Sequence, residues 1–242
     1  MEQNLKLSTN EGAAFEDPTK YRQLVGSLIY VTTTRPNITF VVGIMSRFMH
    51  KPCEGHWTAA QRVLKYLKGT QTLGIKYSKV LDFHLKGYSD SDFDGDKENG
   101  VSTSGYLMTL GSGAVTWRSK KQTIPTNSTT EAKYVVAAQA TKEIVWLRKI
   151  LDDLQEKQTT SMPLLVDNNY AIQLAKNPRF HDHTKHINTK YHLIRCHVEV
   201  KTLHLQHCST ADQIVDIFTK ALGRVKFEQF RMLLGMTDVP LD

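Results

Sequence analysis

The chain has 242 residues, of which 40% are apolar and 23% are charged. This composition is typical of a globular protein with one or two domains and enough apolar residues for a core. No apolar run is long enough to span a membrane, and residues 1–6 lack the apolar core of a signal peptide. The three cysteines are far apart in the sequence. We therefore expect free thiols in a reducing compartment, not a disulfide framework.

The formal net charge is +7, although the most acidic run of the chain lies in one short stretch at residues 90–96. A basic protein with a local acidic spot suits a polyanion that is held next to a metal site. Simple solubility is the other interpretation, so the charge by itself favours a nucleic-acid partner only weakly.

The first third of the chain is predicted to be helical. Residues 1–18 are polar and are expected to be disordered. Three apolar segments with helical periodicity lie between residues 19 and 70, and they are separated at residues 35–37 and 51–52. Their basic residues lie on the opposite face from the apolar ones. A plain packing module is favoured here over a dedicated site.

After residue 75 the pattern changes to strands that alternate with helices. The predicted elements are strands at 82–90, 104–110 and 114–118, a helix at 128–154, a strand at 163–167, a helix at 168–176, a His- and Lys-rich connector at 179–192, a strand within 198–206, and helices at 210–222 and 225–235. This order predicts an α/β domain with a mixed sheet at residues 82–223, followed by a C-terminal helix and tail at 224–242.

The stretch from Gly87 to Asp96 ends a predicted strand with carboxylates at every second position, namely 90, 92, 94 and 96. Carboxylates that are crowded together repel each other, and a hard divalent cation with oxygen ligands is one way to neutralise them. An acidic turn in water is the alternative, and this stretch alone does not decide between the two.

Four acids stand at the ends or on the faces of predicted elements. Asp90 ends the first strand, and Glu131 lies in the first turn of the long helix. Asp167 ends the fourth strand, and Asp216 lies on one side of a late helix. Ligands of α/β sheets bind beyond the strand ends, so these side chains are expected to meet at one edge. Four such carboxylates suit two Mg²⁺ ions about 4 Å apart, which is the arrangement that cleaves phosphodiesters.

An ordered set of short stretches resembles a known protein family. The stretches are LVGSLIY (24–30), TRP (34–36), RVLKYLKGT (62–70), GYSDSD (87–92), STSGY (102–106), WRSKKQ (117–122), STTEA (128–132), DNN (167–169), KHI (185–187), YH (191–192) and DIFTK (216–220). Each is weak alone, but together they cover residues 21–236 in the family's order. The chain resembles the C-terminal ribonuclease H region of the Pol polyprotein of copia-type LTR retrotransposons.

This resemblance implies a ribonuclease H-like α/β fold, with a mixed five-stranded sheet flanked by helices and preceded by a small helical connection segment at 19–75. It implies an endonuclease that cuts the RNA strand of RNA–DNA hybrids with two Mg²⁺ ions, or Mn²⁺. Asp90, Glu131, Asp167 and Asp216 would be the catalytic, metal-binding acids. Implied partners are the hybrid and the polymerase part of the same polyprotein, with no membrane involved. The expected location is the retroelement particle in the cytoplasm, or the nucleus, and not outside the cell.

Three departures from the family's pattern leave a second interpretation open. Phe93-Asp94 replaces a Trp and a small residue, Lys133 stands where an acid is common, and Val166 replaces a usual Cys. The chain also lacks the polymerase motif Tyr-x-Asp-Asp. An inactive or repurposed retroelement remnant, which binds nucleic acid or a partner without cleavage, is therefore the alternative. A two-metal integrase or resolvase on the same fold is a third hypothesis.

Several further side chains are candidates for supporting roles. His207 is placed to protonate a leaving group or to help release product, while Asn168 and Ser128 are candidates for contacts to 2′-hydroxyls. Asp92 and Asp94 are weaker candidates for the metal shell. No standard zinc finger has the spacing of His181, His183, His186, His192, Cys196, His197 and Cys208. Basic residues that are candidates for phosphate contacts are Lys120, Lys121, Lys185, Lys190 and Arg195.

Overall fold

The computed structural model describes residues 7–8, 12–79, 83–92, 101–122, 128–176 and 185–239. The helices are α1 (Pro18–Val31), α2 (Thr39–Ser46), α3 (Glu54–Lys68), α4 (Thr129–Asp153), α5 (Asn169–Lys176), α6 (Lys185–Glu199), α7 (Asp216–Thr219) and α8 (Arg224–Leu233). The strands are β1 (Leu73–Ile75), β2 (Leu85–Asp92), β3 (Thr103–Leu110), β4 (Gly113–Lys121), β5 (Met162–Val166), β6 (Leu203–His207) and β7 (Met236–Asp238).

The chain divides into two compact units. The first combines Met1–Tyr77 with Lys220–Asp242, and the second is Ser78–Thr219. The segment that we predict as a C-terminal helix and tail, 224–242, therefore lies in the same unit as the predicted connection segment. No helix in the described part of the chain is long and apolar enough to cross a membrane.

The core of the first unit lies between α1, α2 and α3. Asp17 caps α1 because its side chain accepts a hydrogen bond of 2.9 Å from the backbone N–H of Lys20. The residues buried between the three helices are Tyr21, Val25, Leu28, Val42, Met45, Ala60 and Val63. The Tyr21 hydroxyl donates a hydrogen bond of 2.9 Å to the carbonyl of Met45, so the one polar atom of this buried ring has a partner.

The first unit also contains two features that the sequence did not predict. The short strands β1 and β7 pair antiparallel, with Leu73 opposite Asp238 and Ile75 opposite Met236. Before α1, Phe15 stacks on Trp57 with ring centroids 4.8 Å apart. The prediction of disorder for 1–18 falls partly outside the described residues.

The second unit is built on a five-stranded mixed sheet in the order β4-β3-β2-β5-β6. The strands β4, β3 and β2 pair antiparallel, whereas β2, β5 and β6 pair parallel. Its core combines sheet residues such as Met108 and Leu164 with Ile144 of α4 and Ile194 of α6. Each of these side chains is almost fully buried, which stabilises the fold by about 1.5–3 kcal/mol per residue. The predicted α/β class, with its five-stranded mixed sheet flanked by helices, is confirmed.

One predicted element of the second unit is wrong in type. The sequence predicts a connector at 179–192, but a helix runs from Lys185 to Glu199, and residues 177–184 lie outside the described part. The main core is contacted by Leu193, Ile194 and Val198. The interval of four residues from Ile194 to Val198 is typical of one face of a helix. The helix ends where Lys201 adopts a φ of 56° and Thr202 donates a hydrogen bond to the carbonyl of His197. The following strand therefore begins only at Leu203.

The late helix predicted at 210–222 is also shorter in the structure. Only Asp216–Thr219 is helical, and the preceding residues form turns in which the Ser209 hydroxyl donates a hydrogen bond of 2.7 Å to Asp212. Gln213, Ile214 and Val215 are all buried. Three consecutive buried residues do not fit the one-sided burial of a surface helix, which explains the difference.

Candidate active site

The parallel pairing of β2 with β5 brings two predicted acids side by side. Ser89 lies opposite Val166 in this pairing, so the next residues along the two strands are Asp90 and Asp167. Asp90 is only 1% exposed, and the Asp167 side chain is 6% exposed. Two carboxylates with so little water around them need a positive partner.

That partner is Lys133, which lies in the first turns of α4. Its Nζ is 3.2 Å from Oδ1 of Asp90 and 2.5 Å from Oδ2 of Asp167. Burial lowers the pKa of the Lys133 ammonium, but the negative charge of Asp90 and the hydrogen bond to Asp167 outweigh that effect and raise its pKa above the usual value. The ammonium therefore stays protonated and bridges the two carboxylates.

The short helix α7, which begins at Asp216, packs against the neighbouring strands β2 and β3. Gly105 of β3 lies directly opposite Asp90 in the sheet. A Cβ on Gly105 would lie 2.9 Å from side-chain atoms of Val215, Phe218 and Thr219, so only glycine allows this close approach. The Thr219 hydroxyl donates a hydrogen bond of 3.1 Å to Oδ2 of Asp90.

A further hydrogen bond holds the segment before α7 at the sheet. The Gln213 side chain donates a hydrogen bond of 3.2 Å to the carbonyl of Ser89, which precedes Asp90. Asp216 itself is fully buried. Burial raises the pKa of the Cys208 thiol, and the negative charges of Asp212, Asp167 and Asp216 raise it further. The negative charges of Asp167 and Asp216 therefore both act on the Cys208 thiol.

Glu131 is the fourth predicted acid, and it lies one half-turn before Lys133 on α4. The helix begins there because the Ser128 side chain accepts a hydrogen bond of 3.1 Å from the backbone N–H of Glu131. The Glu131 side chain is partly exposed. Within the residues that the structure describes, no group of three or more His, Cys, Asp or Glu side chains is arranged to hold a metal ion.

The acid pair offers donor atoms of the kind that a divalent ion needs. Asp90 and Asp167 offer hard oxygen donors that already share one cation, the Lys133 ammonium. The Oδ1 atom of Asp167 is buried and accepts no hydrogen bond within the described residues. The carboxylates of Asp90 and Asp167 thus have the chemistry and the orientation to bind a hard cation once the Lys133 ammonium moves away.

Two of the three predicted auxiliary residues, Ser128 and Asn168, have structural roles in the fold. Ser128 caps α4, and Asn168 accepts a hydrogen bond of 2.9 Å from the backbone N–H of Tyr170 at the start of α5. His207 is exposed and lies opposite Val166 in the β5–β6 pairing, one residue away from the level of Asp167. Their contacts to a nucleic acid stay a prediction.

The remaining candidates for metal or phosphate contacts lie at strand ends, on a helix or outside the described part of the chain. Asp92 ends β2, and Lys120 and Lys121 lie at the end of the edge strand β4. Arg195 is partly buried on α6. Outside the described residues or side chains lie Asp94, Asp96, His181, His183, His186, Lys185 and Lys190.

Sequence reasoning noticed Lys133 as a departure but gave it no partner, and it missed Gly105, Gln213 and Thr219. The sequence around a lysine near the start of a helix does not indicate which strand ends its side chain will contact. Gly105 offered a signal, because a glycine inside a strand often marks the close approach of another segment.

No protein-family model matches the chain. The chain is 43% identical over 235 residues to the retrovirus-related Pol polyprotein from transposon RE1 of Arabidopsis thaliana, a match that covers 97% of this chain and 16% of that protein. It is 41% identical over 217 residues to the corresponding polyprotein from transposon TNT 1-94 of Nicotiana tabacum, covering 89% of this chain and 16% of that protein.

Among solved structures, the chain is similar to LC11-RNase H1 in complex with an RNA/DNA hybrid. The TM-score is 0.43 and the identity is 15%, with 56% of this chain and 93% of that chain covered.

The second unit is an α/β fold whose five-stranded mixed sheet has the order β4-β3-β2-β5-β6. Over nearly its whole length, the chain resembles the Pol polyproteins of copia-type retrotransposons. It spans 16% of the length of these relatives.

Proposed function

We propose that this protein is a ribonuclease H that cuts the RNA strand of RNA–DNA hybrids during the reverse transcription of a copia-type retrotransposon. The observation that carries the proposal is the pair Asp90 and Asp167, which lie buried on adjacent parallel strands and face one cation. Paired carboxylates at the strand ends of an α/β sheet, in a chain that resembles Pol polyproteins, favour metal-assisted phosphodiester hydrolysis.

In this proposal Asp90 and Asp167 hold or bridge two Mg²⁺ ions, for which Mn²⁺ is a substitute, and Glu131 and Asp216 complete the ligand set. When bound, the ions supply an activated water and stabilise the leaving oxygen. Thr219 orients Asp90 through its hydrogen bond to Oδ2. Burial of Asp90 and Asp216 excludes water from their carboxylates, which strengthens their attraction for a cation.

The hybrid is the proposed substrate, and the charge of the chain supports this choice. The net charge of +7 favours a polyanion. Exposed Arg118 and Lys120 lie on the edge strand β4, where they are available for phosphate contacts. The polymerase part of the same polyprotein is the proposed protein partner, and the retroelement particle or the nucleus is the proposed location.

Cleavage of a labelled RNA–DNA hybrid in Mg²⁺, compared with EDTA, tests this function. We expect Mg²⁺-dependent loss of the RNA strand. We expect Asp90→Asn to reduce the rate by roughly 100-fold or more, the size of effect seen when one charge-stabilising group is removed. Asp153→Asn, an exposed acid at the end of α4, is the matched control and should cut at the normal rate. Equal RNA loss in EDTA, or full activity of Asp90→Asn, would reject the proposal.

A second candidate function is favoured by Lys133, which neutralises the acid pair without a metal. In this alternative the chain is an inactive or repurposed remnant that binds nucleic acid or a partner. It predicts hybrid binding that weakens with salt and no Mg²⁺-dependent cleavage. The same assay with duplex DNA separates both candidates from an integrase or resolvase, which would cut the duplex in preference to the hybrid.

A further inference from the structure

The Lys133 ammonium lies where a cation between Asp90 and Asp167 would be expected. It is the one positive group that contacts both carboxylates in the described part of the chain, at 3.2 Å and 2.5 Å. The Lys133 side chain is only 16% exposed. Its charge therefore neutralises the pair in a region with little water, where electrostatic interactions are strong.

A divalent ion and this ammonium compete for the same oxygen atoms. Mg²⁺ binds carboxylate oxygens at about 2.0–2.1 Å. An ion that shares Oδ1 of Asp90 and Oδ2 of Asp167 would lie close to Nζ, and two adjacent cations repel each other. The two states are therefore mutually exclusive, unless the lysine side chain swings away from the acids.

We propose that Lys133 is a built-in competitor of the divalent ion, which holds the acid pair in a metal-free, ion-paired state and weakens metal binding. The inference deepens the proposed function, because it concerns the same acid pair. Metal binding then requires the release of Lys133, whose flexible four-carbon stem allows the ammonium to reach solvent. A merely structural salt bridge would not respond to the metal in this way.

Metal titration of two lysine variants tests this inference. Lys133→Gln removes the competing charge, and Lys142→Gln removes an exposed lysine of the same helix. We expect calorimetry to give a dissociation constant for Mg²⁺ at least about tenfold lower for Lys133→Gln than for the unmodified protein. Lys142→Gln should bind Mg²⁺ as the unmodified protein does.

Thermal unfolding gives a second readout that does not depend on cleavage. Without metal, Lys133→Gln leaves two buried carboxylates that repel each other, so its unfolding temperature should fall. Added Mg²⁺ should then raise that temperature by more than it does in the unmodified protein, because binding to the folded state stabilises it. Equal Mg²⁺ affinity and equal stabilisation in the two proteins would overturn the inference.

A measurement on the unmodified protein keeps the inference testable if Lys133→Gln does not fold. Acetylation of lysines can be followed by mass spectrometry with and without Mg²⁺. Release of the ammonium should increase the acetylation of Lys133 when Mg²⁺ is added, while Lys142 should not change. Unchanged or reduced acetylation of Lys133 at a Mg²⁺ concentration that saturates the protein would contradict the inference.

The outcomes for the two proposals are distinguishable. If Lys133→Gln binds Mg²⁺ more tightly but neither protein cuts the hybrid, the competitor role stands and the proposed ribonuclease H activity fails. If the unmodified protein cuts the hybrid and Lys133→Gln binds Mg²⁺ no more tightly, the activity stands and the competitor role fails.

Discussion

At the scale of single residues, the candidate site depends on one glycine. Gly105 carries no side chain, yet it lies opposite Asp90 in the β2–β3 pairing and beneath α7. The absence of a Cβ lets Thr219 come within hydrogen-bonding distance of Asp90. A residue with no functional group thereby positions one of the proposed metal ligands.

Gly105→Ala should destabilise the protein and disturb the acid pair. The new Cβ would lie 2.9 Å from three side-chain atoms, and overpacking of this kind costs about 1–3 kcal/mol. Urea unfolding followed by fluorescence measures the loss. Gly26→Ala is the control, because its Cβ would meet nothing within 4 Å and alanine favours the helix. A Gly105→Ala protein as stable as the unmodified one would contradict this account of the packing.

At the scale of elements, α4 connects the acid pair to the opposite end of the sheet. Lys133 contacts Asp90 and Asp167 near the start of α4, and Arg148 lies four turns later. The Arg148 guanidinium donates hydrogen bonds to the backbone carbonyls of Gln158, Thr160 and Thr202. One side chain thus fastens the helix to the segments that precede β5 and β6.

Arg148→Met should lower the free energy of unfolding by about 1.5–3 kcal/mol, because it removes a charged donor from carbonyls that are partly buried. Methionine retains the unbranched apolar stem of the side chain but lacks the guanidinium group, so the change mainly removes the hydrogen bonds. The midpoint of urea unfolding is the measurement. Lys149→Met, at an exposed neighbouring position, should leave that midpoint nearly unchanged, and a similar shift in both variants would argue against the role of Arg148.

The sequence predicted most of the sheet because alternation and strand-ending acids are local signals. Asp90 and Asp167 could each be placed near a strand end without knowledge of the fold, although β2 continues past Asp90 to Asp92. The contact of Asp90 and Asp167 with Lys133 could not be predicted, since it joins residues more than 30 positions apart. The helix α6 was missed because its His- and Lys-rich start hid the helical spacing of Leu193, Ile194 and Val198.

At the scale of the whole molecule, the positive net charge is the property that would attract the proposed substrate. The formal net charge is +7, while the acid pair is buried and already neutralised in part by Lys133. A nucleic acid approaching from solvent therefore meets a basic protein. This arrangement favours association through the phosphate backbone, with the chemistry confined to one small acidic spot.

Hybrid binding should weaken steeply as salt is raised. Each phosphate that the protein neutralises contributes a slope of about −0.9 to the plot of log affinity against log salt for B-form DNA, and the hybrid should behave similarly. Fluorescence anisotropy in EDTA measures this slope without cleavage. Replacing exposed Arg118 and Lys120 by Gln should make the slope shallower by up to about 2. A slope near zero would contradict binding through phosphates.

The pairing of β1 with β7 joins residues 73–75 to residues 236–238, and these belong to one compact unit that is interrupted by the other. On the ribosome, the interrupting unit is made in full before the last strand of the first unit emerges. The five-stranded sheet of the second unit can therefore fold before β7 of the first unit is available to pair with β1. We therefore expect β1 and β7 to pair only after the second unit has been synthesised.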